Sequence, residues 1–293
     1  MNDSSINNHN NEEIAIEDTL NLDKIDPVWF INAFSRGFYE GNPAAVIALD
    51  DFPADIKMQK LAKEFALSET AFFCLRSPDL AQIRWFSPTQ EISLCGHATL
   101  ATASVIFNDF YLEKNQFSFI TKSGIIEVGR YNHMIELKLP LEEIIPFTPE
   151  DKVLNALGKS KPSESYLAPE SLNLILIYET AKMIKSLKPN YPTLLSIKDL
   201  PFSGIAVSAS NEKGYVCRYF APWEGIKEDP VTGSAQTYLA PFWSKRLKKK
   251  LLAVQQLSSR GGTMEIEVQP SQLLERGTTY TYFFGNLDSG WRE

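Results

Sequence analysis

The chain has 293 residues, 44% hydrophobic and 22% charged, with a net charge of −7. That length suggests about two domains and enough apolar material to bury real cores, which excludes a wholly disordered chain and a disulfide-stapled mini-protein. Seven acidic residues against Lys24 fall within residues 1–26, so the remaining chain is nearly neutral; it lacks the basic footprint of nucleic-acid binding, an apolar run of about 20 residues for a membrane span, and a secretory signal.

In chain order, residues 1–26 are rich in Asn, Asp, Glu and Ser and read as a flexible acidic tail, with the folded body starting near Pro27. Strands are expected at Val28–Phe34 and Ala44–Ala48, joined by the turn Gly37–Pro43. The spacing of Ile56, Met58, Leu61, Ala62 and Phe65 predicts a helix over Pro53–Phe65. Strands follow at Ala71–Leu75 and Ile83–Phe86. Ala98–Phe107 is apolar on every side, which marks a fully buried helix. Further strands are expected at Phe117–Thr121, Ile125–Val128, Met134–Leu139, Leu172–Tyr178, Gly204–Ser208, Val216–Phe220, Glu265–Val268 and Thr279–Phe284, with a helix through Thr237–Trp243. The basic run Lys245–Lys250 sits where that helix should end.

The chain repeats itself. Arg84-Trp85-Phe86-Ser87-Pro88 recurs as Arg218-Tyr219-Phe220-Ala221-Pro222. Acidic residues follow each copy (Glu91; Glu224 and Asp229), and then a glycine opens a helix, Gly96-His97-Ala98 in one and Gly233-Ser234-Ala235 in the other. Two homologous domains are the expectation. Each would present a helix N-terminus, with unpaired N–H groups and the positive dipole end. Two such ends facing one cleft would bind a carboxylate and stabilise a developing enolate.

Several side chains near these turns could do chemistry. Glu69, flanked by Leu67, Ser68 and Ala71-Phe72-Phe73, is expected to be desolvated, which favours a role as general acid/base. His97 at a helix start is expected to be a neutral imidazole. Asp229 precedes the second helix start, where a turn or cap role is the alternative. Cys95, at a helix N-terminus, would have a lowered pKa and could act as a nucleophile or base; its counterpart in the second copy is Thr232. Cys74, Cys95 and Cys217 show no framework spacing and read as free thiols. Three histidines (His9, His97, His133) are too few for a histidine-rich metal site. Ser258-Ser259-Arg260-Gly261-Gly262 is not a phosphate loop, and no dinucleotide fingerprint occurs.

Glu40-Gly41-Asn42-Pro43-Ala44-Ala45-Val46, Leu67-Ser68-Glu69-Thr70-Ala71-Phe72, Cys95-Gly96-His97-Ala98-Thr99-Leu100-Ala101 and Glu228-Asp229-Pro230-Val231-Thr232-Gly233-Ser234-Ala235, with Gln256–Gly262, resemble the phenazine-biosynthesis PhzF-like isomerase/epimerase family from about Val28 to Asn286. The resemblance implies an α/β (α+β) fold of two pseudo-symmetric diaminopimelate-epimerase-like domains, each a curled mixed sheet around a central helix. The domains are expected at 27–143 and 144–278, with 279–288 pairing back onto the first. It implies cofactor-independent proton transfer, no metal, Glu69 as acid/base, and His97 and Asp229 in the same cleft. Gly96, Gly233, Ser234, Asn42 and Ser68 would contact a small carboxylated substrate. The resemblance also implies a homodimer; no nucleic-acid or membrane partner is expected, and the expected location is cytoplasmic. Thr232 opposite Cys95 departs from two-thiol racemases. A cysteine-dependent epimerase using Cys95 and a non-catalytic metabolite-binding scaffold stand as alternatives.

Overall fold

A computed structural model describes residues 25–292 of the chain. The strands of the first half are β1 (Ile25–Ala33), β2 (Asn42–Ala48), β3 (Glu69–Ser77), β4 (Leu80–Phe86), the short β5 (Glu91–Ile92), β6 (Gln116–Thr121), β7 (Gly124–Tyr131) and β8 (Met134–Pro140). Those of the second are β9 (Ile145–Pro146), β10 (Glu164–Ala168), β11 (Asn173–Ile177), β12 (Gly204–Ser210), β13 (Gly214–Phe220), β14 (Leu251–Gln256), β15 (Gly262–Val268) and β16 (Gln272–Gly277), before β17 (Thr279–Asp288). The helices are α1 (Asp55–Phe65), α2 (Gly96–Val105), α3 (Asp151–Leu157), α4 (Ala181–Ser186), α5 (Tyr191–Ser196) and α6 (Gln236–Leu247).

The two halves pair their strands in the same sequence. From β1 through β2, β3, β4, β6 and β7 to β8 the pairings run antiparallel, parallel, antiparallel, parallel, antiparallel, antiparallel. From β10 through β11, β12, β13, β14 and β15 to β16 the order of pairings is identical. α2 follows β4 and α6 follows β13, so each curled mixed sheet carries one central helix at the equivalent place. The halves are stitched by β8 against β16, while β17 returns to β1. The fold is thus mixed α+β with pseudo-symmetric halves.

Burying a helix on every side requires that its polar atoms be satisfied internally. In α2 every residue from His97 to Val105 is buried. Its hydroxyls bond back to the helix: Thr99 Oγ1 to Cys95 O at 2.5 Å, Thr102 Oγ1 to Ala98 O at 2.8 Å, and Ser104 Oγ to Ala101 O at 2.8 Å. The helix opens at Gly96, as the glycine turn predicts, and gives way at Ile106 to a wider π turn, closed by Tyr111 N–H on Ile106 O. In α6, Pro241 cannot donate to Thr237 O. Glu142 N–H fills that acceptor at 3.1 Å, so the segment joining the halves compensates for the proline. α6 ends at Leu247, with Lys248 as a left-handed cap inside the basic run.

The repeated arginines occupy equivalent places on β4 and β13. Arg84 grips Glu91 with two hydrogen bonds of 2.8 and 2.7 Å, and Arg218 grips Glu228 at 2.7 and 3.0 Å. Each guanidinium also lies over the phenylalanine two residues on, Phe86 or Phe220. The acidic counterpart of Glu91 is therefore Glu228, and neither Glu224, which accepts from Ser203, nor Asp229. Ser258–Gly262 works as a clasp between the halves: Arg260 donates to Gly41 O and Asn32 Oδ1 at 2.9 Å each, and Gly41 N–H donates to Gly261 O at 2.7 Å.

The expected tail boundary needs correction. Residues 1–24 lie outside the described residues, but Ile25 and Asp26 belong to β1. Asp26 is fully buried because Trp291 Nε1 (2.6 Å) and Arg292 Nε (2.8 Å) hold its carboxylate. Among the described residues no helix is long and apolar enough to cross a membrane.

Arg218 also donates to Ile184 O and Leu187 O, both at 3.0 Å. Arg218→Ala should therefore strand a largely buried carboxylate and two carbonyls, costing about 3–5 kcal/mol. Arg84→Ala, which frees no such carbonyls, should cost less; urea melts of the two variants check the order.

Candidate functional site

α1 stops at Ala66, in the left-handed region (φ 52°), and Leu67-Ser68 then swings the chain into β3. Glu69 is thereby the first residue of β3, opposite Ala44 of the parallel β2. Asn42 opens β2, and His97 is the second residue of α2. Asp229 sits in the loop between β13 and α6, its N–H held by Tyr219 O at 3.0 Å.

These residues converge. His97 Nε2 lies 2.9 Å from Glu69 Oε2, close enough for an ion pair but off the line of an aligned hydrogen bond. The Asn42 amide nitrogen is 2.9 Å from Asp229 Oδ1, 2.9 Å from Val231 O and 3.2 Å from His97 Nδ1. It has two hydrogens, and the two nearer acceptors take them. The Thr232 hydroxyl donates to Asp229 Oδ2. Gln256 locks the loop by donating to Asp229 O (2.8 Å) and accepting from Thr232 N–H (3.0 Å).

Burial sets the charges here. It pushes the Asp229 carboxyl up to about 6, against the pull of His97, Thr232 and Asn42. Burial opposes a charge on His97, but Cys95 and Glu69 together raise its pKa well above the usual histidine range. The expected neutral imidazole took account of the helix end alone; here Cys95 and then the Glu69 carboxylate at 2.9 Å act on the ring in the opposite direction. The Cys95 thiol is also corrected. It is 6% exposed, and burial pushes its pKa up despite His97, so it is not activated. Glu69, Cys95 and His97 bring possible ligand atoms within 4.8 Å of one another, the only such trio among the described residues. Binding a metal there would require the thiolate that burial disfavours. All three cysteines are free and buried.

The two glycine turns face each other. A Cβ on Gly96 would lie 3.8 Å from Gly233 Cα. Within α2 the first backbone bond is Thr99 N–H to Cys95 O; in the second turn it is Gln236 N–H to Gly233 O. The N–H groups of Gly96 and His97, and of Gly233 and Ser234, thus have no intrahelical carbonyl to pair with. α6 itself begins at Gln236, so Gly233 opens a one-turn lead-in rather than the helix proper. A cleft of about 430 Å³ opens over this junction, lined by Glu69, His97, Asp229, Gly96, Gly233 and Ser234 among others. Asn42 is fully buried behind His97 and Asp229, and Ser68 is half-buried; neither lines the cleft. A larger cavity of about 780 Å³ beside α6, against Leu141 and Phe242, contains none of these groups.

One residue at this junction escaped the sequence reading. Glu275 of β16 is fully buried beneath both glycines, and neither carboxyl oxygen has a hydrogen-bond partner. A polar residue in a short stretch of Gln272-Leu-Leu-Glu-Arg-Gly277 gives no sequence signal of burial.

The family model described as "Phenazine biosynthesis-like protein" matches residues 31–282. An uncharacterized isomerase of Pseudomonas aeruginosa is 36% identical over 261 residues, covering 89% of this chain and 98% of that protein. The crystal structure of an Enterococcus faecalis phenazine biosynthesis protein of the PhzF family superposes with a TM-score of 0.82 at 36% identity, covering 90% of this chain and 99% of that one. A hydroxyproline epimerase of Agrobacterium vitis shares the fold at 10% identity, with a TM-score of 0.60 over 91% of this chain and 93% of that one.

The glycines should differ in tolerance. A Cβ on Gly233 would meet Glu275 Oε2 at 2.7 Å, whereas one on Gly96 would meet it at an ordinary 3.6 Å. Gly233→Ala should destabilise by about 1–3 kcal/mol, as overpacking does, and Gly96→Ala by less; thermal melts measure the difference.

Proposed function

Because the chain belongs to the phenazine biosynthesis-like (PhzF) family, we propose that it is an isomerase or epimerase that moves a proton between carbons of a small carboxylated metabolite without a cofactor. The observation that carries this reading is the Glu69–His97 contact at the mouth of a cleft floored by two glycine turns. The substrate carboxylate docks on the N–H groups around Gly96 and Gly233-Ser234, where the positive end of α2 adds about half a charge. The Glu69 carboxylate takes a proton from the carbon next to the activating carbonyl. The electron pair moves onto that carbonyl oxygen as an enolate, which the N–H groups stabilise. Protonated Glu69 then returns the proton to the acceptor carbon, and the carbonyl re-forms. His97 holds Glu69 in place and steadies its charge between the two steps. Asp229, fixed by Asn42 and Thr232, orients the substrate from the opposite wall.

Two features support a carboxylate rather than a thiol as the base. Cys95 is buried and its thiol pKa raised, and Thr232, which stands opposite, is committed to Asp229. We further propose that the domains divide near residues 143/144, with 279–288 returning to the first. We also propose that the chain forms a homodimer, with the exposed Phe283 and Phe284 of β17 as the candidate contact.

A screen of carboxylated metabolites by proton NMR in deuterated buffer tests the activity. At least one should lose a C–H signal only when the protein is present. Glu69→Gln should slow that exchange by about 10²–10⁴-fold while leaving the fold intact. Cys95→Ser should change the rate by less than about tenfold. Failure of every metabolite to exchange favours a binding scaffold, and loss of exchange in Cys95→Ser alone favours the thiol.

A further inference from the structure

Glu275 has no part in the chemistry above, yet it occupies the one place that both glycine turns share. Its Oε2 stands 2.7 Å from where Gly233 would carry a Cβ and 3.6 Å from the corresponding point on Gly96. The carboxyl is wholly buried and both oxygens lack a hydrogen-bond partner. Natural proteins seldom leave such a group unpaired without a use for it.

The surroundings favour the uncharged acid. Burial raises its pKa to about 8, with only His97 pulling the other way. From β13, Tyr215 also faces it, and that phenol is held neutral by burial. The next residue on β16, Arg276, turns to the other side of the sheet and pairs with Glu136, Glu265 and Glu267. Among the described residues His97 is the cation that acts to compensate an ionised Glu275.

We propose that Glu275 is a positioning residue for the anion cradle: as a neutral acid it leaves the N–H groups at Gly96 and Gly233 free to hold a ligand carboxylate, and on ionising it drives that carboxylate out. The proposal rests on the reading of the cleft as a carboxylate site. Gly96 and Gly233 line the cleft and the fully buried Glu275 does not, so the side chain acts through charge rather than by touching the ligand. Two like charges about 6 Å apart, at an effective dielectric near 20, alter an affinity roughly a hundredfold. The sign follows from linkage. A ligand that binds only the protonated form keeps its affinity below the pKa of Glu275 and loses about tenfold per pH unit above it.

Malonate, a small dicarboxylate, serves as the probe. Its affinity for the full chain is measured by calorimetry from about pH 7 to about pH 10, in buffers of different ionisation heat so that protons taken up on binding are counted. The wild type should hold its affinity to about pH 8, fall by up to roughly a hundredfold above it, and take up close to one proton per malonate there. Glu275→Gln, which keeps the shape of the neutral acid, should bind with little pH dependence and no uptake. Glu275→Met should do the same if the glutamine variant folds poorly. A purely structural role would lower the melting temperature without moving the proton count. An alkaline fall that persists in both variants would assign the proton to His97 and overturn the proposal. Flat binding in wild type and variants would overturn it while leaving the carboxylate cradle standing, and no malonate binding at any pH would remove both.

Discussion

Two helical segments can bring their starting N–H groups together only if nothing projects between them. Here that condition is met by Gly96 and Gly233, and the rest of the molecule serves to hold it. Each glycine lies at the end of a repeated path from an arginine-bearing strand, through an acidic partner, into a helical turn. The Arg84–Glu91 and Arg218–Glu228 pairs brace the two paths alike. The Arg260 clasp and the β8–β16 seam keep the halves in contact. A side chain on Gly233 would strike Glu275, so the close approach is built into the sequence at the level of single atoms.

The pseudo-symmetric halves bring equivalent turns to the cleft, and those turns carry different side chains. Cys95 and Thr232 occupy equivalent positions in different surroundings: one is a buried thiol with a raised pKa, the other a hydroxyl bound to Asp229. Glu69 and His97 come from the first half, Asp229 from the second. Burial then sorts the ionisable groups. It lifts Asp229 and Glu275, while Cys95 and Glu69 raise the pKa of His97 against burial. Three ionisable side chains and the unpaired N–H groups of two glycine turns thus share one cleft.

Much of this was legible in the sequence. The Arg-aromatic-Phe-x-Pro repeat and the paired glycine turns revealed the two-fold organisation, and the all-apolar stretch after His97 marked the buried helix α2. Glu69, His97 and Asp229 stood out because ionisable residues beside apolar runs and glycine turns are unusual. What was missed has physical causes. α3, α4 and α5 are six or seven residues long, too short to display a helical period. β16 carries Glu275 and Arg276 inside a buried strand, where polarity suggests exposure. A helix end alone does not set the charge of its first side chains: Cys95 and Glu69 act on His97, and burial acts on the Cys95 thiol. Asn42 belonged to a recognisable motif, but only the folded chain shows its amide behind the cleft, holding Asp229.

The central claim is that one carboxylate moves one proton across the bound molecule, and the fate of that hydrogen tests it directly. Deuterium placed on the donor carbon of the first metabolite found to turn over should appear in part on the acceptor carbon after a single turnover in ordinary water, because a single carboxyl carries the same hydrogen from one carbon to the other. Product containing solvent hydrogen alone, beside unreacted substrate that keeps its full label, is the signature of two opposed bases and would contradict the account.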